Sequence, residues 1–175
     1  NYETDYSPMV EYAKENQLPF IATNTPRRYA SLVSRDGIEG LSELSKEAQG
    51  FLPKLPYEVT PDDKGYALML DMMGGGHGMG MNMDYLIAAQ ALKDYTMAHF
   101  ISKNLPKDGL FLHLNGTFHS DYRSGIYGYL MDENKNLKVM TISSVEVRES
   151  LDWDESWADL SDFILVKPST MTKTH

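Results

Sequence analysis

Two hydrophobic patterns alternate along this chain: apolar residues at helical spacing, and short unbroken apolar runs. Ser7-Pro8 opens the first helix as an N-cap with Pro in the first turn, and Met9, Val10, Tyr12 and Ala13 supply its apolar positions as far as Asn16. Leu18 to Ala22 is a continuous apolar run of the kind found in strands buried on both faces. Thr25 as cap and Pro26 in the first turn start another helix, placing Arg27 and Arg28 just beyond the strand's C-terminal end. Ile38 to Phe51 reads as an amphipathic helix, residues 52 to 65 as a loop, and Tyr66 to Met73 as a helix stopped by Gly74-Gly75-Gly76. The strongest helix signal covers residues 84 to 103, with Asp84 as cap and a stripe of Ile87, Ala91, Tyr95, Ala98 and Ile101. Gln90, Asp94 and Met97 fall on a second, shared face of that helix.

Leu110 to Leu114 predicts a second strand, Leu137 to Ser143 a third and Phe163 to Val166 a fourth. Residues 120 to 130 read as helical, residues 146 to 162 as an acidic helix or loop, and the tail from Lys167 as frayed. Helices alternating with buried strands predict an α/β class: a mixed, mainly parallel sheet flanked by helices in one domain over residues 1–175. Residues 74–83 are expected to form a flexible Gly/His/Met loop.

Composition removes several function classes. A formal net charge of -9 repels phosphate backbones and argues against a nucleic-acid partner. The chain has no cysteine, which excludes disulfides, zinc-thiolate sites, iron–sulfur clusters and thiol nucleophiles. No apolar run approaches the roughly 18 residues of a transmembrane segment. The chain opens without an initiator Met, so the expectation is that any export signal or lipid anchor lies upstream.

Among chemistry-bearing residues, His119 follows the strand at 110 to 114 and so belongs to the sheet edge where α/β proteins keep their sites. Asp121, Tyr122 and Arg123 stand beside it, whereas His113, inside the strand, reads as a packing residue. Arg27 and Arg28 are suited to an anionic group at the same edge, or equally to plain solvation. Met73, His77, Met79, Met81 and Met83 offer ligands to a soft metal such as Cu(I), or a flexible lid for an apolar ligand; composition alone favours a linker. Haem needs an axial ligand, apolar walls and partners for its propionates, all present here but common in proteins generally. The chain lacks a G-x-S-x-G elbow, an H-E-x-x-H helix and a P-loop.

Three segments in order carry a more specific signal: LPFIATNTPRRYASLVSRDGIEGL at 18–41, AAQALKDYTMAHFI at 88–101 and LHLNGTFHSDYRSGIYGYL at 112–130. Together they resemble the ChaN-like haem-binding family, part of a superfamily that includes erythromycin esterase and the Tiki and TraB proteins. The Gly/His/Met loop before the long helix is similar to a stretch in that family as well. The resemblance implies an α/β fold, a lipoprotein of the bacterial cell envelope, and haem held by tyrosine with histidine and basic help. On that basis Tyr29 and Tyr122 are the candidate iron ligands, with Arg27, Arg28, His119, Gln90, Asp94 and Met97 as the other cofactor-binding residues. His77, Met79, Met81 and Met83 are the candidate residues for a separate metal. The family's N-terminal strand with its Gly-Glu-x-His motif has no counterpart in this sequence, so the domain is expected to lack that region.

The leading expectation is therefore a haem-binding protein of bacterial iron or haem acquisition, with haem as cofactor, a homodimer sharing haem and an outer-membrane haem receptor as partners. The alternatives are a metal-dependent hydrolase of the erythromycin esterase or Tiki type, using His119 with an upstream His/Glu pair, and copper binding through the Met/His loop.

Overall fold

The computed structural model describes residues 1–59, 63–72, 82–148 and 150–172. Its helices are α1 (Tyr2–Asp5), α2 (Ser7–Glu15), α3 (Arg27–Asp36), α4 (Lys46–Gln49), α5 (Lys64–Met72), α6 (Met83–Asn104) and α7 (Ile126–Glu133). Single turns of 3-10 helix occupy Thr117–His119, Asp121–Arg123 and Glu155–Trp157, and a longer one covers Ile38–Glu43. Strands β1 (Ile142–Val147) and β2 (Phe163–Pro168) pair in parallel, Ile142 opposite Phe163 and Val147 opposite Pro168. The fold is mixed α/β, with a parallel sheet.

The core is built on α6. Gln90, Asp94 and Thr96 are buried as thoroughly as Ile87, Leu92, Met97 and Ile101, so this helix is enclosed around most of its circumference rather than along one stripe. Ala88, Ala89, Ala91 and Ala98 are small enough to let neighbours approach closely, and α3 and α7 pack there through Tyr29, Val33, Ile126 and Leu130. The loop before α5 is fastened to α6 and α7 by tyrosines. The Tyr57 hydroxyl donates to the Ala88 carbonyl at 2.7 Å, that of Tyr129 to the Glu58 carbonyl at 2.7 Å, and Tyr95 lies between their rings with centroids 5.8 and 5.2 Å away. Asn82, not Asp84, caps α6, its side chain accepting from the backbone of Asp84 and Tyr85. The cap expected of Thr25 is not made: α3 starts after Pro26 with no side-chain cap, and the buried Thr25 hydroxyl has no partner among the described residues.

Residues 38 to 51 do not form one helix, because Leu44 and Ser45 are extended, with ψ 140° and 158°, and Ser45 starts a fresh turn as the cap of α4. Residues 120 to 130 are likewise divided, the helix starting only at Ile126 after Gly125 with φ +55°. The expected strands at 18–22 and 110–114 have no regular secondary structure, and among the described residues neither joins a ladder. Their apolar composition suits a sheet interior, but a strand also needs a neighbour to take its N–H and C=O groups. Lacking one, Leu110 is 87% exposed, and Leu18, Phe20, Leu112 and Leu114 are also exposed. The third expected strand begins at Ile142, and the fourth runs on to Pro168 rather than fraying at Lys167.

The sheet is clamped to the rest of the molecule by carboxylates. Asp162 accepts from the Thr141 backbone at 2.7 Å, the Thr141 hydroxyl at 3.0 Å and the Arg123 guanidinium; Asp121 accepts from the Ser143 hydroxyl at 2.5 Å. The first-named bond and Arg123 hold the Asp162 carboxyl below its ordinary pKa. Among the described residues no helix is long and apolar enough to cross a membrane.

Leu92, fully buried at the centre of α6, gives the direct test of this packing. Leu92→Ala is expected to destabilise the fold by about 2–5 kcal/mol, the usual range for a buried leucine truncation. Urea unfolding followed by circular dichroism measures it; a loss under about 1 kcal/mol would contradict a central position for α6.

Candidate functional site around Asp94 and His119

The helical spacing that puts Gln90 and Asp94 on one face of α6 aims both at the 3-10 turn carrying His119. Asp94 is 0% exposed. One of its oxygens bonds Nδ1 of His119, and the other accepts the Tyr66 hydroxyl of α5 at 2.8 Å. The Gln90 side-chain amide lies 3.0 Å from the same Nδ1. Met97, one turn further on, belongs instead to the apolar core.

A carboxylate beside Nδ1 requires a proton on that nitrogen, so the neutral imidazole keeps its lone pair on Nε2. The His119 side chain is 17% exposed, and its Nε2 has no protein hydrogen-bond partner among the described residues and is not among the buried, unpartnered atoms. The arrangement is that of an oriented imidazole with one reachable nitrogen, suited to ligating a metal or accepting a proton. Burial pushes the Asp94 carboxyl above its ordinary pKa, against the opposing pull of His119 and Tyr66. Burial, and then the Asp94 charge, raise the Tyr66 phenol far above its ordinary value and keep it a neutral donor.

The backbone around the pair is shaped by close approach. Gly125 has φ +55° and ψ -114°, and a Cβ there would lie 2.8 Å from both an Asp94 carboxylate oxygen and the His119 carbonyl oxygen. Asp63 accepts from the backbone N–H groups of Gly65 at 2.9 Å, Tyr66 at 3.3 Å and Gly125 at 3.2 Å, while Ser124 Oγ accepts from Gly65 at 3.0 Å. These bonds tie the start of α5 to the turn after His119, and so fix Tyr66 opposite Asp94.

His113 extends the polar network toward the segment that follows α2. Its Nε2 lies 2.8 Å from the Thr23 hydroxyl and its Nδ1 3.0 Å from the Asn115 side chain, so both ring nitrogens are engaged. Asn115 in turn donates to Ser120 Oγ at 2.9 Å, next to His119. Burial, with the neighbouring His119 adding to it, depresses the His113 pKa below its ordinary 6.5 despite Asn115.

The other candidate residues are dispersed. Tyr29 is 3% exposed in the core, its hydroxyl accepting from Arg28 at 2.9 Å and its ring lying under the Arg28 guanidinium. Arg27 and Arg28 are exposed, and among the described residues no hydrogen bond or ion pair joins Arg27, Arg28 or Tyr29 to Asp94 and His119. Tyr122, half-buried with φ +61°, follows Asp121 in the next 3-10 turn, with the Lys64 ammonium 4.1 Å from its ring centroid. Met83 is half-buried at the start of α6; His77, Met79 and Met81 lie outside the described residues, as does most of the expected loop at 74–83. Among the described residues no three His, Cys, Asp or Glu side chains gather as a metal site.

Residues 1–130 match the family model for haem-binding uptake proteins of the Tiki superfamily, ChaN. The chain belongs to this family. Tyr66, Gln90, Asp94, His119 and Gly125 all lie within the matched span of this ChaN-family chain. No curated protein and no solved structure matches it.

Sequence reasoning for the ChaN-family site missed Asp63, Tyr66 and Ser124, and read Gly125 only as a weakness in a helix. Tyr66 and Asp94 stand 28 positions apart with no shared motif. A Gly following Ser after a His-bearing turn was the one available signal, since it marks a close backbone approach.

Two outcomes follow. Gly125→Ala should destabilise the fold by at least about 1–3 kcal/mol from backbone strain, more if Asp94 is displaced, as read by thermal unfolding; an unchanged midpoint would refute the close approach. Because His113 takes up a proton less readily folded than unfolded, its contribution to stability is present above the unfolded value of 6.5 and falls as pH drops through the folded pKa. Denaturation between about pH 7 and pH 5 should show a shallower loss in His113→Gln than in the parent, and an unaltered slope would reject it.

Proposed function

We propose that this chain binds haem for bacterial iron acquisition at the cell envelope, with His119 Nε2 as its iron ligand. Family membership supports haem binding in general. The observation that carries the finer reading is the His119 ring held through Nδ1 by a fully buried Asp94 while Nε2 stays reachable. Haem, when bound, would supply an iron centre that takes a donor atom from the protein.

The residues present fit that group chemically. Asp94 orients the imidazole and raises its donor strength, as carboxylates beside ligating histidines do. Phe118 next to His119, and Leu114 and Leu112 in the segment leading to it, expose apolar side chains suited to a porphyrin face. Arg27 and Arg28 are exposed cations suited to propionates. Tyr29 is ill-suited to ligation because its hydroxyl is buried and already accepts from Arg28, which leaves Tyr122 as the tyrosine that competes with His119. A second copy sharing the haem would cover the exposed leucines, an outer-membrane receptor would be the exchange partner, and a lipid anchor would hold the protein at the envelope.

Haem titration followed by absorption spectroscopy tests this. The parent chain should give a saturable nitrogen-ligated spectrum, His119→Ala should weaken binding at least about tenfold, and Tyr29→Phe should leave it unchanged. A phenolate-type spectrum that survives His119→Ala and disappears in Tyr122→Phe would transfer the ligand to Tyr122; the absence of saturable binding would reject the reading.

The same Asp94–His119 pair favours a second reading, a hydrolase in which Nε2 accepts a proton from water. A metal-dependent form would need ligands beyond the described residues. Ester turnover abolished by His119→Ala, with no haem binding, would establish it.

A further inference from the structure

The connection between β1 and β2 holds both tryptophans of the protein, Trp153 and Trp157, beyond the residues that match the family. Their rings meet nearly at right angles, 83° between planes with centroids 5.8 Å apart. They wall a cavity of about 510 Å³ that is also lined by Glu146, Asp152, Asp154 and Arg148. It is a larger hollow than the apolar one of about 300 Å³ lined by Ile38, Val59, Tyr85 and Ile87 near the start of α6, and neither is lined by His119.

Local bonds hold this cavity's polar wall in place. The Ser150 hydroxyl donates to the Asp152 carboxylate at 2.5 Å and accepts from the Asp152 backbone N–H at 3.0 Å. Asp154 caps the 3-10 turn Glu155–Trp157, accepting from the Ser156 N–H at 2.8 Å, and that bond holds its carboxyl below the ordinary pKa. Trp153 nevertheless leaves 56% of its surface in water. Tyr29, Phe100 and Tyr122 each carry an Arg or Lys over the ring, whereas among the described residues no cation lies over either indole.

We propose that this cavity binds a small quaternary ammonium compound of the choline type. Two nearly perpendicular indoles border the space a compact cation would fill, and Asp152 and Asp154 against the Arg148 guanidinium leave the wall negative. A methylated ammonium is favoured over an ammonium because its methyl groups gain apolar contact with the indoles while its weaker hydration is given up at lower cost. The two-walled corner also fits a compact ion better than a flat sugar ring, which stacks on one open aromatic face.

Both tryptophans lie in the site, so emission excited selectively in the indoles, and not in the 11 tyrosines, reports on it. Choline titrated into the full chain should change the emission saturably, with calorimetry giving the same constant. The uncharged analogue carrying a tert-butyl group in place of trimethylammonium should bind about tenfold more weakly. Trp153→Ala and, separately, Asp152→Asn should each weaken choline binding by several-fold, with circular dichroism confirming that the fold is kept. Equal binding of the uncharged analogue, saturation by a neutral hexose but not by choline, no saturable response, or full affinity in a folded Trp153→Ala would each overturn the proposal.

Discussion

A single buried carboxylate organises this molecule. Asp94 sits inside α6 with no exposed surface, where an unpaired charge would be prohibitively costly, so its partners are required as much as they are attracted. Tyr66 satisfies one oxygen and His119 the other, and these residues come from α5 and from the turn at Thr117–His119. Gly125 lets the following turn press against the same carboxylate. Elements that the apolar core alone would bring only roughly together are thereby set in register to within hydrogen-bonding tolerance.

The same interaction prepares the site. A carboxylate that must be satisfied selects the imidazole tautomer and orientation, leaving Nε2 as the one basic, reachable atom of the pair. Structural necessity and chemical readiness therefore coincide in Asp94. The network continues outward through Asn115 and His113 to Thr23, so that the two apolar segments meet at their polar ends while Leu18, Phe20, Leu110, Leu112 and Leu114 face water.

The C-terminal part is joined to this centre through short polar contacts rather than a continuous apolar core. Asp121 reaches Ser143, the Tyr122 N–H reaches the Leu160 carbonyl at 2.8 Å, and Arg123 reaches Asp162, so the 3-10 turn immediately after His119 is also the fastening of the parallel sheet. The long connection that joins two parallel strands is consequently free to fold over the outer end of the sheet, and there it brings both indoles together among carboxylates.

Periodicity sufficed to locate α6 to within a residue at either end, and with it the shared face of Gln90 and Asp94, because helical spacing is a local property that survives any packing. The motif order was also legible, and with it the family, as was the place of His119 beyond the end of an apolar run. The apolar runs at 18–22 and 110–114 were legible only as strand-like composition: a ladder depends on a neighbour, which no local pattern supplies, and both segments stand without one among the described residues. Tyr66, Asp63 and Gly125 were invisible as site residues, since each acquires its role from a partner brought near by folding. Whether Tyr29 faces a ligand or the core is likewise decided by burial, and the structure places it in the core. The sequence by itself determined the long helix α6, the family and the residue types available for chemistry. Only the tertiary structure decided which of them meet, because desolvation of Asp94 is a property of the packed interior and of no shorter stretch of chain.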